Sequence, residues 1–335
     1  MICQTGQVTN HLICFRKHMW FAALLNRTLV LPHGKLDYKY EHLLDMAHLK
    51  KCLGNSSVIT FEEFAELRNE TLHVDRLICY MHSCHFDKDH PRAWEALGYT
   101  FGERQDAWSS SSNPPAAHKD DILSRFACNA KVLAVGDLFY AAVEDSHGFA
   151  VAHDCTVSPV LPNRNIVVTA ERFVQTYLGP NFLSLHFRRH GFLVFCNKQK
   201  SPSCFYPIPQ AARCIRRKVW EARADVVYLS TDAPASEVDI LKQELAGVTV
   251  VRRTKVHEAE AKWDSLLWRN GLESELAVMA MVDKTICVLG VGFMGTREST
   301  FSYDILRMRN EMRTASSCDG FICDGETPSF LAQAP

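Results

Sequence analysis

The sequence predicts an α/β protein whose second half is a parallel, Rossmann-like sheet. From about residue 166, short apolar runs alternate with helical patterns in units of roughly 20 to 40 residues, the signature of strand–helix–strand repeats. The chain has 335 residues, long for one core and matched to two domains of about 150 residues each. The run Leu183-Ser-Leu-His-Phe-Arg-Arg189 reads as a buried strand that delivers His186 and Arg188 to its C-terminal end, where open α/β sheets bind ligands. The expected division is residues 1–165, residues 166–315 and a tail, 316–335.

In chain order, Thr9 or Asn10 is expected to cap a first helix, because Leu12, Phe15, Met19 and Ala22 recur at helical spacing up to Leu25. Thr28-Leu-Val-Leu-Pro32 then reads as a short strand, giving a loop–helix–strand unit whose loop is Gly6-Gln-Val-Thr-Asn10. Helical patches follow at 41–51 and 61–67, and strands at 76–80 and 131–135. Residues 104–121, rich in serine, proline and charge, read as a solvated and poorly ordered insertion within the first domain. In the second half, strand 183–187 precedes a helix over 209–223, strand 226–230, a helix over 235–245 and strand 248–251. A helix over 273–282, a strand over 285–289 and a last helix over 300–309 complete the series.

Composition narrows the functional classes. A net charge of -1 excludes a general nucleic-acid binder, which needs a basic face to release counterions. No stretch reaches the roughly 18 apolar residues that span a bilayer. There is no basic leader with an apolar run and cleavage site. The opening Met1-Ile-Cys-Gln-Thr-Gly6 reads as the end of a strand entering a loop, so the sequence is expected to begin inside a longer protein. Thirteen cysteines and the sequons at Asn26, Asn55 and Asn69 point to the secretory pathway, although Asn26 falls at the end of an apolar helix.

Chemistry-bearing residues gather at the ends of the predicted strands. Arg188 and Arg189 suit a phosphate or pyrophosphate, since a guanidinium fork makes paired charge-assisted hydrogen bonds. Asp232, in Ser230-Thr-Asp232, can accept from a nucleobase N–H edge or cap the next helix. Ser299-Thr-Phe-Ser302 opens a helix whose free N–H groups form an anion site, with Arg307 and Arg309 on that helix as phosphate partners or as cations complementing its C-terminus. Gly290-Val-Gly-Phe-Met-Gly295 imitates a dinucleotide fingerprint but lacks the helix that should open on its third glycine. The cluster Cys79-Tyr-Met-His-Ser-Cys-His85, with His90, matches no standard zinc spacing, so no metal is expected. Cys196, Cys204 and Cys214 are expected to form a bridge in the insertion after Arg189, and Cys318 and Cys323 to staple the tail. Trp263 and Trp268 read as core aromatics or as part of an acceptor surface.

Taken together, the opening loop, the His186-Phe-Arg188 segment, Ser230-Thr-Asp232 and Ser299-Thr-Phe301 resemble the GDP-fucose protein O-fucosyltransferase family, above all its plant branch. The run from Asn10 to Pro32 is similar to that family's opening region. The resemblance implies a GT-B architecture, two Rossmann-like domains facing a cleft, with the first on the acceptor side. It implies an inverting, metal-independent transfer of fucose from GDP-fucose to a hydroxyl of a protein Ser/Thr or a glycan, with no cofactor beyond the donor substrate. Carried over by position, His186 contacts the nucleotide, Arg188 the diphosphate and Asp232 the guanine side. Ser299, Thr300 and Phe301 line nucleotide and phosphates, and Asn10 reaches the sugar and phosphate from the first domain; Arg188 and Asn10 are the catalytic pair. The sequence departs from the pattern in lacking a second glycine beside Asn10, any carboxylate in the opening loop, and an acid after Arg189. A Golgi lumenal location follows, with membrane contact only through a segment absent from this sequence. Two rival readings are a non-catalytic GDP-sugar binder assisting cell-wall polysaccharide synthesis and, from Gly290–Gly295 alone, a dinucleotide-dependent oxidoreductase.

Overall fold

A computed structural model describes residues 6–54, 57–68, 72–80, 94–108, 118–136, 138–141, 158–189, 205–253 and 263–329. The chain falls into two units, Met1–Leu161 and Pro162–Pro335.

In the first unit the apolar stripe of Leu12, Phe15 and Met19 becomes the buried face of α1 (Val8–Leu24). The predicted caps do not act as caps. Gly6 takes φ 78, a left-handed conformation open to glycine, so the helix starts upstream with Gln7 at the N-cap and Asn10 inside the first turn. At the other end Asn26 (φ 52) closes the helix, its N–H bonding Ala23 O and that of Arg27 bonding Ala22 O, the paired bonds of a Schellman end. Asn26 is exposed there, whereas Asn55 and Asn69 lie outside the described residues.

β1 (Leu29–Val30) pairs in parallel with β2 (Val58–Ile59), and between them lie α2 (Tyr40–Leu43) and α3 (Met46–Leu53). After α4 (Phe61–Leu67), the strands β3 (His73–Cys79), β4 (Thr100–Asp106) and β5 (Leu133–Gly136), with α5 (Lys119–Phe126) between the last two, form a parallel sheet of order β4-β3-β5. The segment read as a disordered insertion is therefore partly structural. Residues 104–106 belong to β4, Trp108 is buried against Tyr80, and Lys119 onward is α5; residues 109–117 lie outside the described set. The polar sequence of β4 misled because this strand is largely exposed.

The second unit opens with α6 (Arg164–Phe173), which runs into a π-helical turn at Val174–Leu178. Then follow β6 (Phe182–Phe187), α7 (Ile208–Ala222), β7 (Val226–Thr231), α8 (Ala235–Glu244), β8 (Thr249–Val251), α9 (Ser265–Arg269), α10 (Leu276–Leu289), β9 (Gly292–Gly295), α11 (Thr300–Glu311) and β10 (Gly320–Phe321). All strands are parallel in the order β10-β9-β6-β7-β8. Leu183 and Leu185 of β6, Val227 and Leu229 of β7, and Ile215 and Leu241 of the covering helices build one core cluster. β10 belongs to the segment set apart in the sequence as a tail.

One strand is displaced from its expected place. Residues 285–289 are the last turn of α10, a helix buried on nearly every side; the strand is the glycine-rich Gly292–Gly295. The glycine pattern thus runs from the C-cap of α10 (Gly290) through β9, with a helix and not a strand before it, which removes the basis of the dinucleotide reading. Glycine is needed here for close approach: a Cβ on Gly292 would sit 2.8 Å from Cys318 Cβ. Cys214 and Cys323 form a disulfide joining α7 to the segment after β10, so Cys214 is not bridged within the insertion, and of the two cysteines expected to staple the tail Cys323 does so. Cys318 is a free thiol, and Cys196 and Cys204 lie outside the described residues. Among the described residues no helix is long and apolar enough to cross a membrane.

Candidate functional site

In the order β10-β9-β6-β7-β8 the chain winds outward in one direction from β6 through β7 and β8, and in the other through β9 and β10. The reversal lies between β6 and β9, so their C-terminal ends form the crevice where doubly wound sheets take ligands. His186, Arg188, Asp232 and Thr296 converge there.

β6 is buried along its whole length, and its last residues carry His186 and Phe187 into the crevice. Gly295 ends β9 without a side chain, so α11 packs directly on it: a Cβ there would meet Ser302 Cβ at 2.6 Å and its Oγ at 2.7 Å. Ser302 is thereby brought to His186, with 2.8 Å between Oγ and Nδ1. The imidazole stacks on Phe301, ring centroids 4.5 Å apart at 30°. Beneath Phe301 lies the ammonium of Lys284, 5.0 Å from the ring centroid and 2.6 Å from Asp304 Oδ2. Both members of that ion pair are fully buried, and Asp304 also accepts from Arg307 Nε at 2.9 Å. Burial above all, then the charges of Arg188 and Lys284, push the pKa of His186 down to about 3. His186 is therefore neutral at physiological pH and can donate or accept without carrying charge.

Thr296 locks the two strand ends together. Its hydroxyl accepts from the Arg188 backbone N–H at 2.9 Å and donates to His186 O at 3.1 Å. Arg188 thus sits three residues, through Thr296, from Ser299, the N-cap of α11. Glu298 adopts φ 66 to make that turn. Ser299 makes no side-chain cap, and the first N–H groups of α11 have no acceptor within the helix.

The two arginines do not share a role. Arg188 is half-buried and its guanidinium is ion-paired with Asp232. Arg189 is buried and turns away: its Nε donates to Glu237 at 2.8 Å, its Nη1 to Tyr206 O at 2.6 Å, and it lies over Phe205 at 3.9 Å. It clamps α8 and the segment before α7, and is no longer a phosphate candidate. Asp232 does not cap α8, whose N-cap is Pro234; instead its Oδ1 accepts from Arg189 N at 2.7 Å. Arg307 and Arg309 also serve structure. Arg307 pairs with Asp304 and Glu311, while fully buried Arg309 donates to the carbonyls of Cys287, Val288 and Gly290, closing the C-terminus of α10 rather than of its own helix.

The second unit therefore brings together His186, Arg188, Asp232, Ser299, Thr300 and Phe301. Asn10 belongs to the first unit, in the first turn of α1, where a Cβ on Gly6 would collide with its Nδ2 at 2.2 Å. Sequence reasoning missed Thr296, Lys284 and Asp304. A signal for Lys284 existed: Asp283 and Lys284 are the only charges in the apolar run Leu276–Leu289, and charges so placed are normally paired. Of the cysteine–histidine cluster that matched no zinc spacing, Cys79 is disulfide-bonded and residues 81–93 lie outside the described set. Cys214, Cys323 and Glu326 approach one another, but both sulfurs are committed to their disulfide. Trp263 is buried against Phe173, as a core aromatic, and Trp268 is exposed. A separate, largely apolar cavity of about 470 Å³ lies in the first unit between α1, β1 and β5.

The family model described as GDP-fucose protein O-fucosyltransferase matches residues 10–312. The chain belongs to this family. O-fucosyltransferase 5 of Arabidopsis thaliana is 46 % identical over 346 residues, which cover 99 % of this chain and 61 % of that protein. O-fucosyltransferase 14 of the same plant is 46 % identical over 349 residues, covering 99 % of this chain and 62 % of its own length. The chain thus spans about three fifths of these curated relatives. Among solved structures, POFUT1 in complex with GDP-fucose superposes with a TM-score of 0.66 over 96 % of both chains at 16 % identity. At that identity the likeness establishes the fold, a GT-B-like α/β architecture, which agrees with the family's expected fold.

Proposed function

We propose that this O-fucosyltransferase family member transfers fucose from GDP-fucose to the hydroxyl of a protein or glycan acceptor, with inversion at the anomeric carbon and without a metal. The observation that carries the reading is the convergence of neutral His186, the Arg188 guanidinium and the start of α11 on the switch point between β6 and β9. A nucleoside diphosphate fits this chemistry. Phe301, held between His186 and the Lys284 ammonium, lines the nucleoside with its ring edge, and Asp232 accepts from the N–H edge of guanine. Arg188, now resting on Asp232, turns its fork to the diphosphate, with the Ser299 and Thr300 end of α11 on the same charge.

As the C1–O bond to the β-phosphate breaks, its electron pair leaves with the diphosphate. The growing negative charge meets donors already in place, so little reorganisation is needed. Arg188→Ala is expected to cost roughly 3–4 kcal/mol, about 10²–10³ in rate. Arg188→Lys should recover little, because a point charge cannot reproduce the planar fork. A chelator should leave the activity unchanged. The disulfide-bonded cysteines at 14, 52, 79, 214 and 323 support folding in the secretory pathway, with the Golgi lumen as the proposed site of action.

The deciding experiment is a thermal-shift panel of GDP, GDP-fucose, GDP-mannose, UDP-sugars and NAD(P), followed by GDP release from GDP-fucose. A GDP ligand at 100 times its Kd stabilises by about 2.7 kcal/mol. Stabilisation by guanosine ligands with turnover supports the reading. Guanosine-ligand binding without turnover on any acceptor would favour the non-catalytic binder, and no binding would defeat both.

A further inference from the structure

The apolar cavity of the first unit carries on its wall a guanidinium whose Nε bonds nothing. The apolar lining includes buried Phe21 of α1, Leu29 and Leu31 in and after β1, Val74 of β3, Trp94 and Val135 of β5. At about 470 Å³ the cavity falls within the roughly 300–1,000 Å³ of small-molecule sites. Leu67 also lines it and is 75 % exposed, so the cavity opens to solvent beside the end of α4.

No aspartate or glutamate lines this cavity, whereas Arg27, Arg68, His73 and Lys131 do. Three of these lead into strands, Arg27 into β1, Arg68 into β3 and Lys131 into β5, so the rule that seats ligands at strand C-terminal ends does not point to them. Two of the four are committed elsewhere. Arg27 donates to Ala130 O at 2.8 Å and to Cys128 O at 2.5 Å. The His73 ring faces Thr100 Oγ1 at 2.8 Å and Asp75 at 3.9 Å. His18, also in the lining, brings no charge: burial above all pushes its pKa down to about 3, and its nitrogens lie 2.9 Å from Cys14 O and Val135 O. Arg68 makes no ion pair among the described residues, and its Nε is buried without a hydrogen-bond partner.

A cation at the C-terminus of α4 complements the helix dipole whichever way it points. That does not account for the buried Nε, because an unsatisfied buried N–H is costly and a solvated rotamer would remove the cost. The N–H groups of Nε and one Nη form the side of the fork that takes both oxygens of a carboxylate. One unpaired guanidinium on an apolar chamber matches one negative charge on an apolar body. The Tyr99 hydroxyl, kept protonated by burial and then by Glu62, adds a neutral donor in the same lining. A phosphomonoester would bring a second charge with no second buried cation to meet it, since Lys131 is exposed.

We propose that this cavity binds a medium-chain alkyl carboxylate, its head on Arg68 and its chain running inward between α1 and the strands β1, β3 and β5. The site is built wholly from the first unit and does not depend on the fucosyl-transfer reading.

The test is calorimetric titration of the chain with octanoate, decanoate and dodecanoate below their micellar concentrations, with dodecanol as the uncharged probe and Tm recorded alongside. Dodecanoate should bind once per chain and raise Tm. Each added pair of methylenes should tighten Kd about tenfold. Arg68→Gln should weaken dodecanoate about 10–100-fold while dodecanol stays within threefold. Arg68→Lys, which keeps the charge but not the fork, should fall between wild type and Arg68→Gln. The proposal fails if dodecanoate shows no saturable binding, or binds many times per chain while Tm falls, as a detergent does. It fails equally if dodecanol binds wild type as tightly as dodecanoate, or if Arg68→Gln binds dodecanoate like wild type. A loss of dodecanoate and dodecanol together in both Arg68 variants would make Arg68 a structural residue and overturn its role as the carboxylate partner.

Discussion

Replacing Gly295 with alanine is expected to loosen the second unit and weaken nucleotide binding together. The new Cβ would lie 2.6 Å from Ser302 Cβ, 2.7 Å from its Oγ and 3.0 Å from Phe293 Cε1. A rotamer change can move the hydroxyl, but not the Ser302 Cβ, which is fixed to the backbone of α11. Ser302 and Phe293 are fully buried, so relief requires α11 to lift off the end of β9. Overpacking of this kind costs about 1–3 kcal/mol. For a unit of this size each kcal/mol lowers Tm by about 2–4 °C, a fall of about 2–12 °C. Lifting α11 also draws Ser302 from His186 and the helix start from Arg188. Loss of the His186 hydrogen bond alone is worth about 1 kcal/mol, near fivefold in GDP affinity. Thermal unfolding and calorimetric titration with GDP read the two effects. The double variant Gly295→Ala with Ser302→Gly clears the overlap with Ser302 but does not restore the lost hydrogen bond, so Tm should return to within about 2–4 °C of wild type while affinity stays low. A Gly295→Ala protein with wild-type Tm and GDP affinity would refute the account of how α11 is seated.

Three further outcomes are expected. The folded-state pKa of His186 is about 3, below its ordinary 6.5. Its contribution is therefore complete above about pH 6.5 and lost as pH falls towards 3, because the unfolded chain takes up the proton first; urea midpoints at pH 7 and pH 5 should differ less in His186→Gln, and an unaltered difference would count against it. Removing the Cys214–Cys323 bridge, which spans 109 positions, should cost about 2–4 kcal/mol and lower Tm by about 4–16 °C in Cys214→Ala/Cys323→Ala, a result that an unchanged melting curve would contradict. Lys284→Met breaks a buried pair and should cost about 3 kcal/mol, the low end of the usual range because Arg307 still holds Asp304; replacing Asp304 by leucine as well should recover part of the loss in urea unfolding.

The parts of the fold that could be read from sequence are those where local pattern and burial agree. The strands at 183–187 and 226–231 and the helices packed on them are apolar on the side that faces the core, and their bounds fall within a residue or two of expectation. The exchange of strand for helix at 285–295 has a physical cause. A short run such as Thr285–Leu289, buried on nearly all sides, carries no periodicity to separate strand from helix, and the glycines that imitated a dinucleotide fingerprint are there because neighbours crowd a strand. His186, Arg188 and Asp232 were legible because they end strands of a parallel sheet. The divergence of Arg189 from Arg188 was not, since it depends on Glu237 and the Tyr206 carbonyl, partners far along the chain. Thr296 was hidden for the same reason, and the pairing of Cys214 with Cys323 has no signature in spacing.

Arg309 has a bearing on where this protein can be cut. The family match stops at residue 312, yet the guanidinium takes Asp319 at 2.9 Å and the Thr314 carbonyl at 2.7 Å, and Asp319 accepts from the Phe293 N–H at the rim of β9. Farther on, Tyr206 donates to the carbonyls of Cys323 and Glu326, and Gln210 donates to that of Thr327. A chimera or truncation drawn at the family boundary would strand a buried cation, bare the edge of β9 and release a thiol at Cys214. Modular exchange within this family therefore has to carry the chain through about residue 329 to transplant a unit that folds.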